Sequence, residues 1–227
     1  RFIKPVFNVD EPMCGKFADL ELLCDDKTHT DWYKESCKEY YIQSKEQPYS
    51  FTFVALQGQE IIVFTNGYLS GSVMRLDTFF VNRAYQGYGV GTNLLSTTEK
   101  AASIIRPFLY LEPLKSAVSF YERYNYQVVD NDKCMIKELP TNFMGIVPVF
   151  EWTDELQEKS NVRVDCDLLQ SYKYQPMFAY VGKKGKIDGI GVLLPNGEKY
   201  IQLDEHQKSV EKYRRIGLLR ALENCRQ

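Results

Sequence analysis

Three glycines alternate in Gln86-Gly87-Tyr88-Gly89-Val90-Gly91-Thr92, and what flanks them narrows the folds open to this chain. Ahead of them, Val73 to Val81 is a run of bulky residues broken at Asn82-Arg83, the pattern of a strand. Behind them, Leu94, Leu95, Thr98, Ala101 and Ala102 repeat at helical spacing. Strand, glycine loop and helix in that order belong to an α/β protein. The first turn of a helix leaves backbone N–H groups without internal partners, and its dipole favours negative charge there. Without side chains in the way, a diphosphate can approach those N–H groups closely, so the loop is suited to cradling an anion. The plainer alternative is a glycine-rich turn packed against the sheet with no ligand.

Two well-known phosphate sites fit poorly. A dinucleotide fingerprint asks for Gly-x-Gly-x-x-Gly, with an acidic residue about 20 positions further on. Thr92 stands where the third glycine belongs, although the next strand, Phe108 to Leu111, does end at Glu112. A P-loop is excluded because no Gly-Lys-Ser/Thr closes the loop. Ser50 to Leu56 and Ile61 to Thr65 read as strands joined by the turn Gln57-Gly58-Gln59-Glu60. So short a turn joins antiparallel strands, whereas a dinucleotide-binding oxidoreductase needs a parallel sheet.

Upstream, apolar residues at helical spacing from Phe17 to Gln47 predict one or two amphipathic helices ending before Pro48. Downstream, Pro113 to Tyr124 reads as a helix with proline near its start, and Gln127-Val128-Val129 with Met135-Ile136 as a hairpin. Leu139-Pro140-Thr141 marks a boundary between a domain at 1–140 and a smaller one at 141–227. In the smaller one, Met177 to Val181 and Ile187 to Leu194 repeat the strand–turn–strand pattern, which hints at internal duplication. The intervening Gly182-Lys183-Lys184-Gly185-Lys186 reads as a hairpin turn rather than a basic binding patch.

Gln86-Gly87-Tyr88-Gly89-Val90-Gly91 resembles the acyl-CoA loop of the GNAT superfamily, Gln/Arg-x-x-Gly-x-Gly/Ala, at the family's distance from the end of its central strand. A second motif follows in order. Ala117-Val118-Ser119-Phe120-Tyr121-Glu122-Arg123-Tyr124-Asn125-Tyr126 is similar to the family's Ala-x-x-x-Tyr-x-x-x-Gly-Phe, with Asn125-Tyr126 replacing Gly-Phe. Leu114 stands where the family often has Asn. The resemblance implies an α/β (α+β) fold: a GNAT-like mixed, mainly antiparallel sheet flanked by helices, with CoA wedged where two strands part. Backbone groups of Phe80 and Val81 would hold the pantetheine arm. N–H groups from Gln86, Gly87, Tyr88, Gly89, Val90, Gly91 and Thr92 would hold the pyrophosphate. Arg215-Ile216-Gly217-Leu218-Leu219 resembles a strand found in the degenerate C-terminal unit of some two-domain acetyltransferases. The second segment would then be a partial GNAT-like domain that does not bind acyl-CoA, closing over the acceptor pocket or forming a homodimer contact. The periodicity of Val210, Tyr213, Ile216 and Leu219 instead fits one face of a helix.

The activity implied is acyl-CoA-dependent N-acylation, moving acetyl from acetyl-CoA to a primary amine by direct attack in a ternary complex. Such transfer needs a neutral amine, a stabilised oxyanion and a proton for the leaving thiolate. Tyr121 matches the family's tyrosine and is the candidate acid, against the reading that Phe120, Tyr121 and Tyr124 form an aromatic core face. Relatives with a carboxylate base carry it where this chain has Arg75. Asp77, two residues on and on the same strand face, is the nearest replacement, against a surface pair with Arg75. Glu112 is the second candidate. His29 and His206 lie away from both motifs, and no Gly-x-Ser-x-Gly elbow suggests a hydrolase. The competing reading is a non-catalytic acyl-CoA-binding or regulatory domain. Arg75, Leu114 and Asn125-Tyr126 favour it, whereas Tyr121 and the intact loop favour the enzyme.

Composition excludes other classes. A net charge of −2 with interspersed signs leaves no basic stripe for nucleic acid. No run approaches the ~18 apolar residues of a membrane span. Arg1-Phe2-Ile3-Lys4-Pro5 has no signal-peptide pattern. The six cysteines are too scattered for a zinc site or a disulfide framework, so no metal is expected. Free thiols fit a reducing, cytoplasmic setting. The acceptor, a small-molecule or peptide amine, is not encoded in any recognisable pattern; Tyr33, Tyr40 and Tyr41 could line an aromatic pocket or simply pack.

Overall fold

The computed structural model describes residues 3–24, 31–129, 133–140, 143–204 and 208–225. His29, Thr141 and His206 lie outside them. The chain packs as two compact units, Arg1–Ala102 with Arg106–Leu139, and Ser103–Ile105 with Pro140–Gln227.

In the first unit, β1 (Lys4–Pro5) is followed by α1 (Glu11–Cys24) and α2 (Asp31–Ser44). Strands β2 (Phe51–Gln57), β3 (Glu60–Ser70) and β4 (Val73–Val81) come next, and then α3 (Val90–Ser103). The unit closes with β5 (Phe108–Leu111), α4 (Val118–Glu122), β6 (Gln127–Val129) and β7 (Cys134–Glu138). The seven strands run β1-β2-β3-β4-β5-β7-β6, and only β4 and β5 are parallel. The expected mixed, mainly antiparallel sheet flanked by helices is therefore present. The first helix starts six residues before the expected Phe17. Asp10 caps it by accepting from the Met13 N–H at 2.9 Å, and Pro12 sits in the first turn, where a missing N–H costs little. The helix expected from Pro113 is shorter; a 3-10 turn at Lys115–Ala117 leads into α4.

One face of the sheet is sealed by α1 and α2 through an aromatic cluster. Phe17 stacks on Phe64 at 4.4 Å, and Tyr41 meets both rings edge-on. Phe17 and Phe64 are buried to 2% and 0% exposure, worth about 1.5–3 kcal/mol of apolar burial each. On β4 the pleat sends neighbours to opposite faces. Phe80 joins Phe64 at 5.5 Å, whereas Phe79 turns to Phe120 and Tyr121 at 5.9 and 6.0 Å.

Two features of β4 prepare a site. Its parallel pairing with β5 covers only Met74, Arg75 and Leu76, so from Asp77 onward the strands have parted. At the same point β4 carries a bulge: Asn66 pairs Thr78 but Gly67 pairs Leu76, leaving Asp77 as the extra residue. Gly67 permits this, because a Cβ there would strike the Arg75 carbonyl and the Phe51 ring.

The second unit contains β8 (Gly145–Pro148), α5 (Asp154–Lys159), α6 (Cys166–Ser171), β9 (Met177–Val181), β10 (Ile187–Leu193), β11 (Lys199–Leu203) and α7 (Lys208–Asn224). Its sheet runs β11-β10-β9-β8, antiparallel throughout. Thr153 and Asp165 cap α5 and α6 by accepting from Leu156 and Leu168 N–H groups. The Gly182–Lys186 segment is a turn with Lys184 and Gly185 at φ 62° and 70°. The strand alternative for residues 215–219 is wrong, since they lie within α7. The helical alternative has the wrong face. Arg214, Leu218 and Leu222 are buried, whereas Val210, Tyr213 and Ile216 are exposed. An arginine took the place of an apolar residue at the buried i, i+4, i+8 positions, so hydrophobicity alone pointed elsewhere.

The two units share the order β-α-α-β-β-β-α. The bulge in the first hairpin of each unit falls at the same place. The hairpin β2–β3 pairs Leu56 with Ile61 and Ala55 with Val63, skipping Ile62; β9–β10 pairs Val181 with Ile187 and Tyr180 with Gly189, skipping Asp188. The N–H groups of Asn82 and Asp204 then bond the carbonyls of Ile62 and Asp188, both at 2.9 Å.

Candidate active site

The expected anion loop opens α3. Gly87 and Gly89 adopt φ 81° and 77°, which side-chain-bearing residues rarely adopt, and a Cβ on either would meet no atom within 4 Å. The space above the loop is open. The first N–H of the segment to find a backbone acceptor is that of Asn93, bonded to Gly89 C=O at 3.1 Å. Among the described residues, the N–H groups from Gly87 to Thr92 have no backbone acceptor, which leaves a run of donors at the positive end of a helix dipole. Val90 is buried and anchors the turn, whereas Gln86, Tyr88 and both glycines are exposed. Gly91 packs against Val81, where a Cβ would lie 3.4 Å from the Val81 side chain, bringing α3 close to the end of β4. The Thr92 hydroxyl is 2.6 Å from the Tyr124 hydroxyl and ties the loop to the turn after α4.

The parted edge of β4 supplies the second element. Phe80 and Phe64 form a hydrogen-bonded pair in the antiparallel ladder, as the Asn82-to-Ile62 bond requires, so Phe80 spends both backbone groups on β3. The groups directed to the open edge belong to Phe79 and Val81. Phe80 is thus displaced from its expected backbone role by Phe79, a residue the sequence reading passed over; the parity of the ladder is the signal that finds it. The Val81 carbonyl accepts from the Gln86 side-chain amide at 3.1 Å and from the Cys24 thiol at 3.4 Å.

Where the strands part, charged groups converge. Asp77 is nearly covered, its side chain 6% exposed. It accepts from the Tyr40 hydroxyl on α2 and from Arg75 Nε at 3.3 Å, while Arg75 Nη2 pairs with Glu112 at 3.0 Å. Burial, with the Glu112 charge adding to it, pushes the Asp77 carboxyl up to about 6 from an ordinary 3.8. The pairing with Arg75 weighed as the plainer alternative for Asp77 is present, but the carboxylate is covered rather than at the surface. Of the three tyrosines weighed for an aromatic pocket, Tyr40 joins this cluster and Tyr41 is core, donating to Glu21 at 2.6 Å.

Tyr121 lies on α4 among Phe79, Phe120 and Tyr126, with ring centroids 5.1–6.0 Å away. Burial raises its hydroxyl well above the usual phenol value, which keeps it protonated. The replacement of the glycine by Asn125 is explained by its φ of 65°, a left-handed conformation that Asn tolerates best after Gly. Tyr126 is buried, and its hydroxyl donates to Glu99 at 3.0 Å. Leu114, where the family often has Asn, is 72% exposed and gives the following turn no side-chain cap.

A split sheet edge beside a helix start rich in backbone donors is an arrangement suited to an extended ligand that carries a pyrophosphate. The chain belongs to the GNAT acetyltransferase family: the family's sequence model, Acetyltransferase (GNAT) domain, matches residues 21–139, more than half the chain. No curated protein sequence matches it. Solved structures share the fold. The Pyrococcus horikoshii OT3 protein PH1933 has a TM-score of 0.53 at 19% identity, over 61% of this chain and 99% of its own. An acetyltransferase from Thermus thermophilus gives 0.52 at 14%, over 61% and 98%. Aminoglycoside 6'-acetyltransferase type Ii gives 0.51 at 21%, over 62% and 99%. Among the described residues no helix is long and apolar enough to cross a membrane.

Proposed function

We propose that the first unit is an acyl-CoA-dependent N-acetyltransferase that passes acetyl directly to a primary amine held beside β4. The observation that carries this reading is the juxtaposition, on one strand, of outward backbone groups at Phe79 and Val81 with a buried carboxylate of raised affinity for protons at Asp77. The residues fit acetyl-CoA: N–H groups of Gly87 to Thr92 suit a pyrophosphate, and those of Phe79 and Val81 suit the amides of a pantetheine arm. When bound, acetyl-CoA supplies a thioester carbonyl open to attack by an amine.

The chain's own groups handle the protons. Asp77, with a pKa of about 6, is ionised at neutral pH yet still basic enough to draw a proton from an ammonium acceptor. Tyr40, donating to it, and Arg75 hold that carboxylate in place. The Tyr121 hydroxyl, kept protonated by burial, is the donor for the departing thiolate. Glu112 contributes through its charge, which raises the proton affinity of Asp77, and through its grip on Arg75. A covalent relay through Cys24 is disfavoured because burial pushes that thiol up to about 11, leaving it unreactive at neutral pH. The second unit, with the element order of the first through its last helix but no glycine between β11 and α7, is a partial copy that does not hold acyl-CoA.

Calorimetric titration with acetyl-CoA, with NADH as control, tests the reading. Micromolar-range binding that Gly89→Val abolishes supports it, and binding of NADH alone would sink it. An amine screen followed by Tyr121→Phe kinetics then distinguishes an enzyme from a domain that only binds acyl-CoA.

A further inference from the structure

Asp77 is placed where an acceptor amine has little access to it. Its side chain is 6% exposed, and each carboxylate oxygen already accepts from a protein group: Oδ1 from Arg75 Nε at 3.3 Å, Oδ2 from the Tyr40 hydroxyl. The described groups gathered around it differ in what they can do with a proton. Arg75 stays charged and has no acceptor atom. Glu112 is engaged with Arg75 and, when ionised, only accepts. A hydroxyl both accepts and donates, so Tyr40 is the neighbour able to take a proton on one side and release one on the other.

Tyr40 is also the exposed member of the pair, at 43%. It reaches from α2 to the bulge at Asp77, the point from which β4 and β5 have parted. Its ring is set edge-on against Tyr41 at 5.5 Å, and Tyr41 is itself fixed in the core and by its bond to Glu21. A rigid neighbour therefore holds Tyr40 on Asp77 while part of the residue stays open to solvent.

We propose that Tyr40 is a catalytic residue of the acetyl transfer and passes the acceptor's proton to Asp77, an inference that rests on the acetyltransferase reading above. The ammonium N–H bond breaks as the Tyr40 oxygen takes its proton. The Tyr40 O–H bond breaks as Asp77 Oδ2 takes that proton in turn. The acceptor keeps the electron pair of its broken bond and becomes a neutral amine able to attack the thioester. Tyr40 ends the step as a phenol and Asp77 as a neutral acid. Moving both protons together avoids a free phenolate, which an ordinary tyrosine, titrating at about 10, forms at neutral pH in only about one molecule in a thousand. It also turns an ammonium and a carboxylate into two neutral groups, which a covered site favours.

The test is a screen of primary amines run on the parent and on Tyr40→Phe, which keeps the ring against Tyr41. The amines span basicity from n-butylamine, an ammonium ion at neutral pH, to trifluoroethylamine, largely neutral there. Tyr40→Phe is expected to lower kcat for ammonium acceptors about a hundredfold and for trifluoroethylamine about fivefold or less, because the neutral amine brings no proton to remove before attack. Acetyl-CoA affinity, read by calorimetry, is expected to be unchanged. Added to Asp77→Asn, the same substitution should slow turnover little further, since the two groups act as a unit. Equal losses on charged and neutral amines would reduce Tyr40 to a positioning role and overturn the proposal, as would a variant that keeps its full rate with ammonium acceptors. A parent that binds acetyl-CoA yet acetylates no amine would instead sink the acetyltransferase reading, and the relay with it.

Discussion

Asp77 is held where an ionised carboxylate is uncomfortable, and the discomfort has two measurable consequences. As a base it must be unprotonated, so kcat/KM should climb with pH through about 6 and level off above. In Asp77→Asn that limb should vanish and kcat should fall about a hundredfold or more, within the ordinary range of a lost general base. The same group works against stability. Its folded pKa of about 6 exceeds the ordinary 3.8, so between those values the folded chain keeps a proton that the unfolded chain has released. The contribution of Asp77 is therefore fully present at low pH and is lost as pH rises through about 6. Asp77→Asn should stabilise the protein at pH 8 by about 1–3 kcal/mol while crippling it, and should gain little at pH 4; chemical denaturation at the two pH values checks this. Tyr121→Phe separates the two readings of that ring. Loss of the hydroxyl should lower kcat about tenfold or more with acetyl-CoA affinity unchanged, since the aromatic packing against Phe79, Phe120 and Tyr126 survives.

At the scale of elements, the sequence announced β4, the glycine loop and α3 because each obeys a local rule: bulky residues in a strand, glycines where φ is positive, and a 3.6-residue repeat behind them. It was silent on what depends on partners. Nothing in Gln127–Val129 or Cys134–Glu138 says that β7 will insert between β5 and β6, because that order is fixed by packing across the sheet. The bulge at Asp77 and the parity that turns Phe79 and Val81 outward arise from the pairing of β3 with β4, which no single segment contains. Nor could the spacing of Tyr40 reveal that it reaches Asp77 from α2, 37 residues earlier. Gly67 is the hinge of that arrangement. Gly67→Ala should force β4 away, cost about 1–3 kcal/mol, and lower kcat more than the loss of stability explains, because it moves Asp77. Gly89→Ala has open space around it, so its cost should be the backbone strain at φ 77°, about 1 kcal/mol, with weaker acetyl-CoA binding as the larger effect. Thermal unfolding alongside acetyl-CoA titration distinguishes the two variants.

Across the whole molecule, one β-α-α-β-β-β-α framework has been used twice, with different residues at one shared bulge. In the first unit the bulge of β3 is sealed by Ile62, and a second bulge lies on β4 at Asp77, the proposed base. In the second, β10 and β11 pair without a bulge, so no counterpart of Asp77 exists, and the polar residue has moved to Asp188. If the fold itself does not need the ion pair that Asp188 makes with Arg214, replacing it with an apolar pair should leave stability intact. Asp188→Ile alone should destabilise by about 3–5 kcal/mol, since it takes the carboxylate away from a buried guanidinium. Adding Arg214→Leu should recover most of that loss, bringing stability to within about 1 kcal/mol of the parent or above it, because an apolar pair avoids the desolvation penalty. The double variant should bind acetyl-CoA as before. A double-mutant cycle by urea denaturation measures the recovery. A pair whose joint replacement remained as damaging as the single one would instead be indispensable to the second unit's fold.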